Sequence, residues 1–223
     1  MLQRWLNLTF LHWRYPPAVI RALLPSQLQL DAFDGSAWVA LTPFQLTGLR
    51  LPYLPALPWI SHFADTNVRT YVRGPDGQPG VWFFTLEADR LLAVIGARLS
   101  FHLPYRWAHM QVVAGKNRVT YRSVRSRWFG QGKNNMVIEP GPPVRAGYLE
   151  NFLTARYRLY AMSLGHLAYG QIDHAPWPLR QARVAQLDQN LFQYSGVLQP
   201  TGQPHVLYSE SLDVRIGRLQ WLS

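Results

Sequence analysis

Cysteine is absent from this chain of 223 residues, and lysine nearly so, with Lys116 and Lys133 the only two. Without cysteine there is no disulfide scaffold, no zinc finger, no iron–sulfur cluster and no thiol nucleophile. Acid is scarce as well: 12 Asp and Glu stand against 22 Lys and Arg, for a formal net charge of +10. No uninterrupted run of about 18 apolar residues exists. Arg4 and Asn7 fall where an export signal would need an apolar block. The expectation is a soluble cytoplasmic protein with no membrane partner. What the chain does have is apolar and aromatic bulk, 48% hydrophobic with nine tryptophans, eleven tyrosines and ten phenylalanines. Such a chain buries enough surface to offset its conformational entropy, so order is expected over its whole length.

The basic excess is almost entirely arginine, a planar and permanently charged donor suited to carboxylate, phosphate or aromatic partners. It is uneven along the chain. Between Arg90 and Ile138 there is no Asp or Glu, while Arg90, Arg98, Arg106, Lys116, Arg118, Arg122, Arg125, Arg127 and Lys133 supply nine cations. A solvated basic face and an anion-binding surface or pocket both account for this. Nucleic acid ranks behind them: Tyr105, Trp107, Tyr121, Trp128 and Phe129 interleave with the charges, but no helix-turn-helix, KH or RRM signature accompanies them.

Turn and periodicity signals give a mainly β (α+β) reading. Pro16 and Pro17 open a short helix through Ile20 to Leu24. Gln27 to Phe33, the Asp34-Gly35 turn and Ser36 to Phe44 read as a hairpin. Leu49 to Ile60, with Pro52, Pro55 and Pro58, reads as an ordered loop packed on a surface or over a site mouth. Thr66 to Arg73 alternates cleanly, and a turn at Pro75 to Gly80 leads to the apolar strand Val81 to Leu86. Asp89 is placed to cap a helix running to about Leu99. Met110 to Ala114 and Arg118 to Arg125 form another hairpin. A Gly/Pro-rich stretch, Gly130 to Gly132 and Pro140 to Pro143, precedes a helix whose one face is Leu149, Phe152, Leu153, Arg156, Tyr157 and Tyr160, with Phe152 and Tyr157 set against a sheet. Leu167 to His174, Arg180 to Leu187 and Val206 to Ile216 favour strands. Without a repeat or a separating linker, residues 1–223 read as one domain, an antiparallel sheet or barrel with two or three packed helices.

Catalytic motifs are missing. Neither phosphate-binding glycine loop occurs, nor a Gly-x-Ser-x-Gly elbow, nor His-Glu-x-x-His. The seven histidines are scattered: His166 and His174, on one side of a strand, would lie about 26 Å apart, so no metal site and no cofactor are expected. The more informative feature is the polar face Asn67, Arg69, Tyr71 and Arg73, opposite Val68, Thr70 and Val72. Either it lines a barrel interior, where arginines need anionic or carbonyl partners, or it faces water. Arg118, Thr120 and Arg122 present a similar face with a stronger case for solvent.

A family resemblance spans most of the chain. The stretches Phe10-Leu11-His12-Trp13-Arg14-Tyr15-Pro16, Asp34-Gly35-Ser36-Ala37-Trp38-Val39, Asn67-Val68-Arg69-Thr70-Tyr71-Val72, Gly80-Val81-Trp82-Phe83-Phe84, Leu149 to Tyr157 and His174-Ala175-Pro176-Trp177-Pro178-Leu179 resemble the YqjF-like family of uncharacterised bacterial proteins. The resemblance implies a fold related to acetoacetate decarboxylase, a cone-shaped, largely antiparallel barrel with a central cavity, and no established activity. In the decarboxylases a lysine forms a Schiff base after a neighbouring cation lowers its pKa. The stretch of similar spacing here is Ala97 to Arg106, where Arg98 and Pro104 match, Leu99 replaces a glutamate and Tyr105 replaces the lysine. A phenol forms no imine, so decarboxylation of acetoacetate by that route is not expected.

These readings converge on a pocket for a small carboxylate- or carbonyl-bearing molecule. Tyr105 is the candidate catalytic group, as a hydroxyl donor or weak acid, and Asn67, Arg69, Tyr71, Arg98 and Arg106 are the candidate ligand-binding residues. For Tyr105 and Trp107 the competing role is core packing. For Arg98 and Arg156 it is an internal ion pair with Glu150 or Asp89. A binding protein, or a cryptic lyase or isomerase built on Tyr105 and arginines, ranks ahead of a basic nucleic-acid binder; a homo-oligomer is compatible with each.

Overall fold

The computed structural model describes residues 1–57 and 59–222. Within them twelve strands form one hydrogen-bonded sheet: β1 (Leu2–Tyr15), β2 (Gln29–Leu30), β3 (Ala37–Arg50), β4 (Phe63–Arg73), β5 (Pro79–Ala88), β6 (Tyr105–Ala114), β7 (Val119–Arg125), β8 (Lys133–Pro143), β9 (Arg158–Ser163), β10 (His166–His174), β11 (Arg180–Gln189) and β12 (His205–Trp221). The helices are α1 (Pro17–Arg21), α2 (Leu91–Phe101), α3 (Tyr148–Thr154) and α4 (Leu191–Tyr194). The mainly β expectation holds, and none of the described helices is long and apolar enough to cross a membrane.

Two strands divide an edge between partners. β5 pairs with β4 along one edge, and along the other with β9 at Val81 and Trp82 and with β6 from Leu86 to Ala88. β12 pairs with β1 along one edge, and along the other with β11 at Leu207 and Tyr208 and with β10 from Val214 onward. Pairing therefore runs in a closed circuit, β1–β12–β10–β9–β5–β4–β3 and back to β1, while β6–β7–β8–β11 makes a second path between β5 and β12. Only β5 with β6 and β5 with β9 are parallel.

The alternation in β4 decides which side chains enter the circuit. Val68 and Val72 pack into two outer apolar clusters, and Asp65, Asn67 and Arg69 point the opposite way. In β1 the phase of alternation changes at Asn7, whose φ of 49° is a left-handed conformation that asparagine tolerates. The β1–β3 register shifts across this bulge, so Gln3 and Trp5 before it and Leu8 after it face the same interior. Pro43, in the middle of β3, sits opposite the interrupted stretch of ladder, where no backbone donor is needed.

Several local expectations are corrected. The Asp34-Gly35 turn forms, but a single bridge, Phe33 to Ser36, is all that joins its arms. β2 covers only Gln29–Leu30 and pairs with β4, because a turn from Pro25 holds Leu28 and delays extension. Asp89 does not cap α2; its carboxylate accepts from the Ala64 amide and ties the start of β4 to the end of β5. α3 stops at Thr154, and Tyr160 lies on β9. Arg156 folds back onto the Phe152 carbonyl at 2.6 Å and onto Asp31 at 2.6 Å, which holds the chain out of helix. Asp31, rather than Glu150 or Asp89, is thus its ion-pair partner. Phe152 packs inward on Phe33 and Tyr71, whereas Tyr157 is partly exposed. The Gly/Pro-rich stretch contains β8: β7 pairing ends at Ile138, so Pro140 and Pro143 lie where that edge is free. Leu49 and Ile60 line the interior, while Leu51, Tyr53, Leu54, Leu57 and Trp59 are exposed; Pro58 lies outside the described residues.

Candidate functional site

A cavity of about 280 Å³ lies within the strand circuit, and the face of α2 carrying Ala93, Gly96, Ala97 and Ser100 forms part of its wall. The polar lining is gathered on one side. On β1, β3 and β4, Gln3, Trp5, Thr42, Asp65, Asn67 and Arg69 stand among Leu8, Phe44, Leu46 and Phe63, whereas β5, β9, β10 and β12 contribute only the apolar Phe83, Leu86, Leu159, Ile172 and Ile216. The polar wall is unsatisfied. Trp5 Nε1, Thr42 Oγ1, Asp65 Oδ1, Asn67 Oδ1 and Arg69 Nε are all buried without a hydrogen-bond partner. Burying such an atom unpaired costs roughly 1–3 kcal/mol, and these five belong to residues that line the same cavity.

Arg69 is the most exceptional of these. Three arginines are buried, at 8% exposure for Arg69 and 6% each for Arg125 and Arg156. Arg125 pairs with Glu87 at 2.8 Å and Arg156 with Asp31 at 2.6 Å, both carboxylates being buried too. Arg69 has no carboxylate partner among the described residues, and its guanidinium stands 5.4 Å from the centroid of the Phe10 ring. Its charge helps burial hold His12 well below the ordinary histidine value, so His12 is neutral while it meets the Tyr71 hydroxyl at 2.7 Å.

Four residues along β4, Asp65 is the carboxylate that the sequence reading did not select. It is the third residue of β4, just before the alternation becomes regular, and nothing in its neighbours marks it. Its special position is tertiary: Tyr105, at the start of β6, donates its hydroxyl to Asp65 Oδ2 at 2.9 Å. Burial pushes the Asp65 carboxyl up to about 7; Tyr105 and Asn67 oppose that shift, and the nearby Glu87 and Asp89 add to it. The Tyr105 hydroxyl is in turn pushed well above the usual phenol value by burial and by Asp65. A carboxyl that titrates near neutrality inside a cavity can act as acid or base at physiological pH.

Asn67, Arg69 and Tyr105 therefore share one cavity. Tyr71 follows Arg69 on the same face, fully buried but outside the lining, packed on Phe152 and bonded to His12. Arg98 and Arg106 do not join them. Arg98, exposed on α2, donates to the Tyr105 backbone carbonyl at 2.9 Å and forms no internal ion pair. Arg106 is on the opposite face of β6 from Tyr105 and reaches the Phe129 carbonyl at 3.4 Å. Arg73, at the exposed end of β4, pairs with Asp31. Arg118 and Arg122 are in solvent, the former paired with Glu139. No lysine lines the cavity: Lys116 is in the exposed β6–β7 turn and Lys133 pairs with Asp188.

The fold defined by this circuit is that of the acetoacetate decarboxylases. The decarboxylase of Legionella pneumophila superposes with a TM-score of 0.70, at 11% identity, over 100% of this chain and 88% of that one. The enduracididine biosynthesis enzyme MppR complexed with pyruvate superposes with a TM-score of 0.68, at 11% identity, over 100% of this chain and 90% of that one. At these identities the likeness is one of fold alone. The chain itself belongs to the DUF2071 family, described as an uncharacterized conserved protein, whose model matches residues 2–213. It is 37% identical over 220 residues to the uncharacterized protein YqjF of Bacillus subtilis (strain 168), covering 96% of this chain and 89% of that protein.

Proposed function

We propose that this protein binds a small carboxylate- or carbonyl-bearing molecule in the cavity, with Arg69 holding the anionic end. The observation that carries this reading is the buried guanidinium of Arg69, a residue of the cavity lining whose Nε has no hydrogen-bond partner and which no carboxylate among the described residues neutralises. An uncompensated buried charge is strongly destabilising, and an anionic ligand supplies the missing partner through charge-assisted hydrogen bonds. The apolar side of the lining takes a hydrocarbon body. The cavity is at the lower edge of the usual size range for small-molecule sites, which favours a small ligand. The pyruvate complex of MppR offers an analogy for the ligand class on a related fold.

The wider reading is of one cytoplasmic domain whose closed strand circuit forms a cone-shaped barrel around the ligand. No lysine lines the cavity to form a Schiff base as in the decarboxylases. Lyase or isomerase chemistry is the second reading, favoured by the Asp65–Tyr105 pair.

Native mass spectrometry of freshly purified protein tests the binding. A co-purified carboxylic acid on the wild type, absent from Arg69→Met, is the expected result. Retention of the same acid by Arg69→Met would overturn the assignment. For an added ligand, losing the charge-assisted contact costs about 1.5–3 kcal/mol, or roughly 10- to 100-fold in affinity.

A further inference from the structure

We propose that Asp65 is a catalytic base and acid in this cavity, with Tyr105 positioning it, and that the substrate is an elongated oxo acid whose carboxylate lies at Arg69 and whose carbon beside the carbonyl lies at Asp65. This deepens the anion-binding reading and depends on it.

Three features carry the inference. First, the two oxygens of Asp65, a residue of the cavity lining, are inequivalent: Oδ2 accepts from the Tyr105 hydroxyl, while Oδ1 is buried without a hydrogen-bond partner. The fold thereby leaves one carboxylate oxygen uncommitted beside the cavity. Second, Asp65, Asn67 and Arg69 form a ladder on one face of β4. Four residues of strand separate the Cα atoms of Asp65 and Arg69 by about 13 Å. Anion and proton are therefore handled at separate ends of the ladder. Third, a donor lies on the same wall: Trp5 Nε1–H is unpartnered.

The chemistry follows from those positions. The ionised carboxylate takes a proton onto Oδ1 from the carbon beside the ligand carbonyl. The C–H bonding pair becomes the C=C bond, and the carbonyl π pair moves onto oxygen, which accepts a hydrogen bond from Trp5 Nε1–H. Return of the proton from Oδ1 to that carbon, or to a conjugated one, restores the carboxylate. No oxidant, reductant or water is consumed, so the reaction class is enolisation or isomerisation. The groups facing the Asp65 carboxyl are Tyr105 from β6, Asn67 from β4, and Glu87 and Asp89 from β5 and the residue after it. Glu87 is neutralised by Arg125, with Ser123 donating to it, and Asp89 accepts from Arg90 and the Ala64 amide.

Hydrogen–deuterium exchange at the carbon beside the ketone, followed by proton NMR in D₂O, reads this step directly. The probes are straight-chain methyl-ketone carboxylates, from pyruvate through 4-oxopentanoate to 7-oxooctanoate, with binding measured by calorimetry in parallel. With the full chain, exchange faster than buffer by about 100-fold or more is expected at a preferred chain length, rising with pH as Asp65 ionises. Asp65→Asn is expected to bind that probe within a few-fold of wild type and to exchange it at the buffer rate. Tyr105→Phe is expected to keep exchange but move its pH midpoint upward, because the phenol no longer stabilises the carboxylate. Binding without accelerated exchange, or exchange that survives Asp65→Asn, overturns the catalytic proposal and leaves the binding site standing. Absence of binding at every chain length overturns the anion site and this proposal with it.

Discussion

Asp65 imposes a cost that only a function for its charge would justify. Its carboxyl is raised from 3.8 to about 7 in the fold, which at 1.36 kcal/mol per pH unit is about 4 kcal/mol against the ionised form. The sign follows from linkage. Below about pH 4 the group is neutral folded and unfolded and the cost is zero. It grows as pH rises between the two values and is constant above about 7. Asp65→Asn, which keeps an acceptor for Tyr105, is therefore expected to unfold at higher denaturant than wild type at about pH 8, by a few kcal/mol. Chemical denaturation should show the two curves converging toward pH 4; a gain independent of pH would contradict the buried, shifted carboxyl. The sequence could not disclose this residue, because its character comes from a tyrosine forty positions away and from the wall around both. Asn67 and Arg69 were legible, since a period-two polar face on an otherwise apolar strand is a local pattern. Whether that face met water or a cavity was not, because both give the same alternation.

Elements supply the frame that holds those residues. α2 contributes a small-residue face to the cavity, and a Cβ placed on Gly96 meets no atom within 4 Å. Gly96 is exposed on that face, so Gly96→Leu should fit without straining the helix and narrow the cavity from that side. Replacing an interior helical glycine also gains roughly 0.5–1 kcal/mol of propensity. The expected outcome is an unchanged or raised melting temperature together with loss of ligand in calorimetry; loss of fold would contradict the open space described there. β5 and β7, which are not neighbours in the sheet, are tied by the buried pair Glu87–Arg125 at 2.8 Å. Arg125→Met leaves Glu87 buried and unpaired, with an expected loss of about 3–5 kcal/mol in denaturant unfolding. The elements hardest to read were those where a tertiary contact or a free edge overrode the local pattern. A helical spacing runs on through Arg156, yet the buried pair with Asp31 ends α3 at Thr154. The prolines of β8 look like a loop but lie on an edge that β7 has already left.

Across the whole molecule, the acid-free span from Arg90 to Ile138 is less basic in space than along the chain. Arg90 pairs with Asp89, Arg118 with Glu139, Arg125 with Glu87 and Lys133 with Asp188, so four of its nine cations pair with acids that flank the span or lie beyond it. A continuous basic stripe is thereby broken up. The protein is expected to elute from immobilised DNA below about 0.15 M salt, where exposed charges are already screened beyond about 8 Å; retention well above that would revive the nucleic-acid reading. The β-rich class and the decarboxylase-like relationship were legible in turns, alternation and family motifs. The closed circuit was not, since it depends on β5 and β12 each sharing an edge between two partners. The central claim is that this circuit holds a carboxylate on Arg69. Electron density of crystals grown with an oxo acid that binds in calorimetry tests it most directly. A carboxylate oxygen is expected about 2.8 Å from a guanidinium nitrogen of Arg69, with the ligand chain lying along Asn67 toward Asp65. An acid seated away from Arg69, with the guanidinium still unpaired, would contradict it.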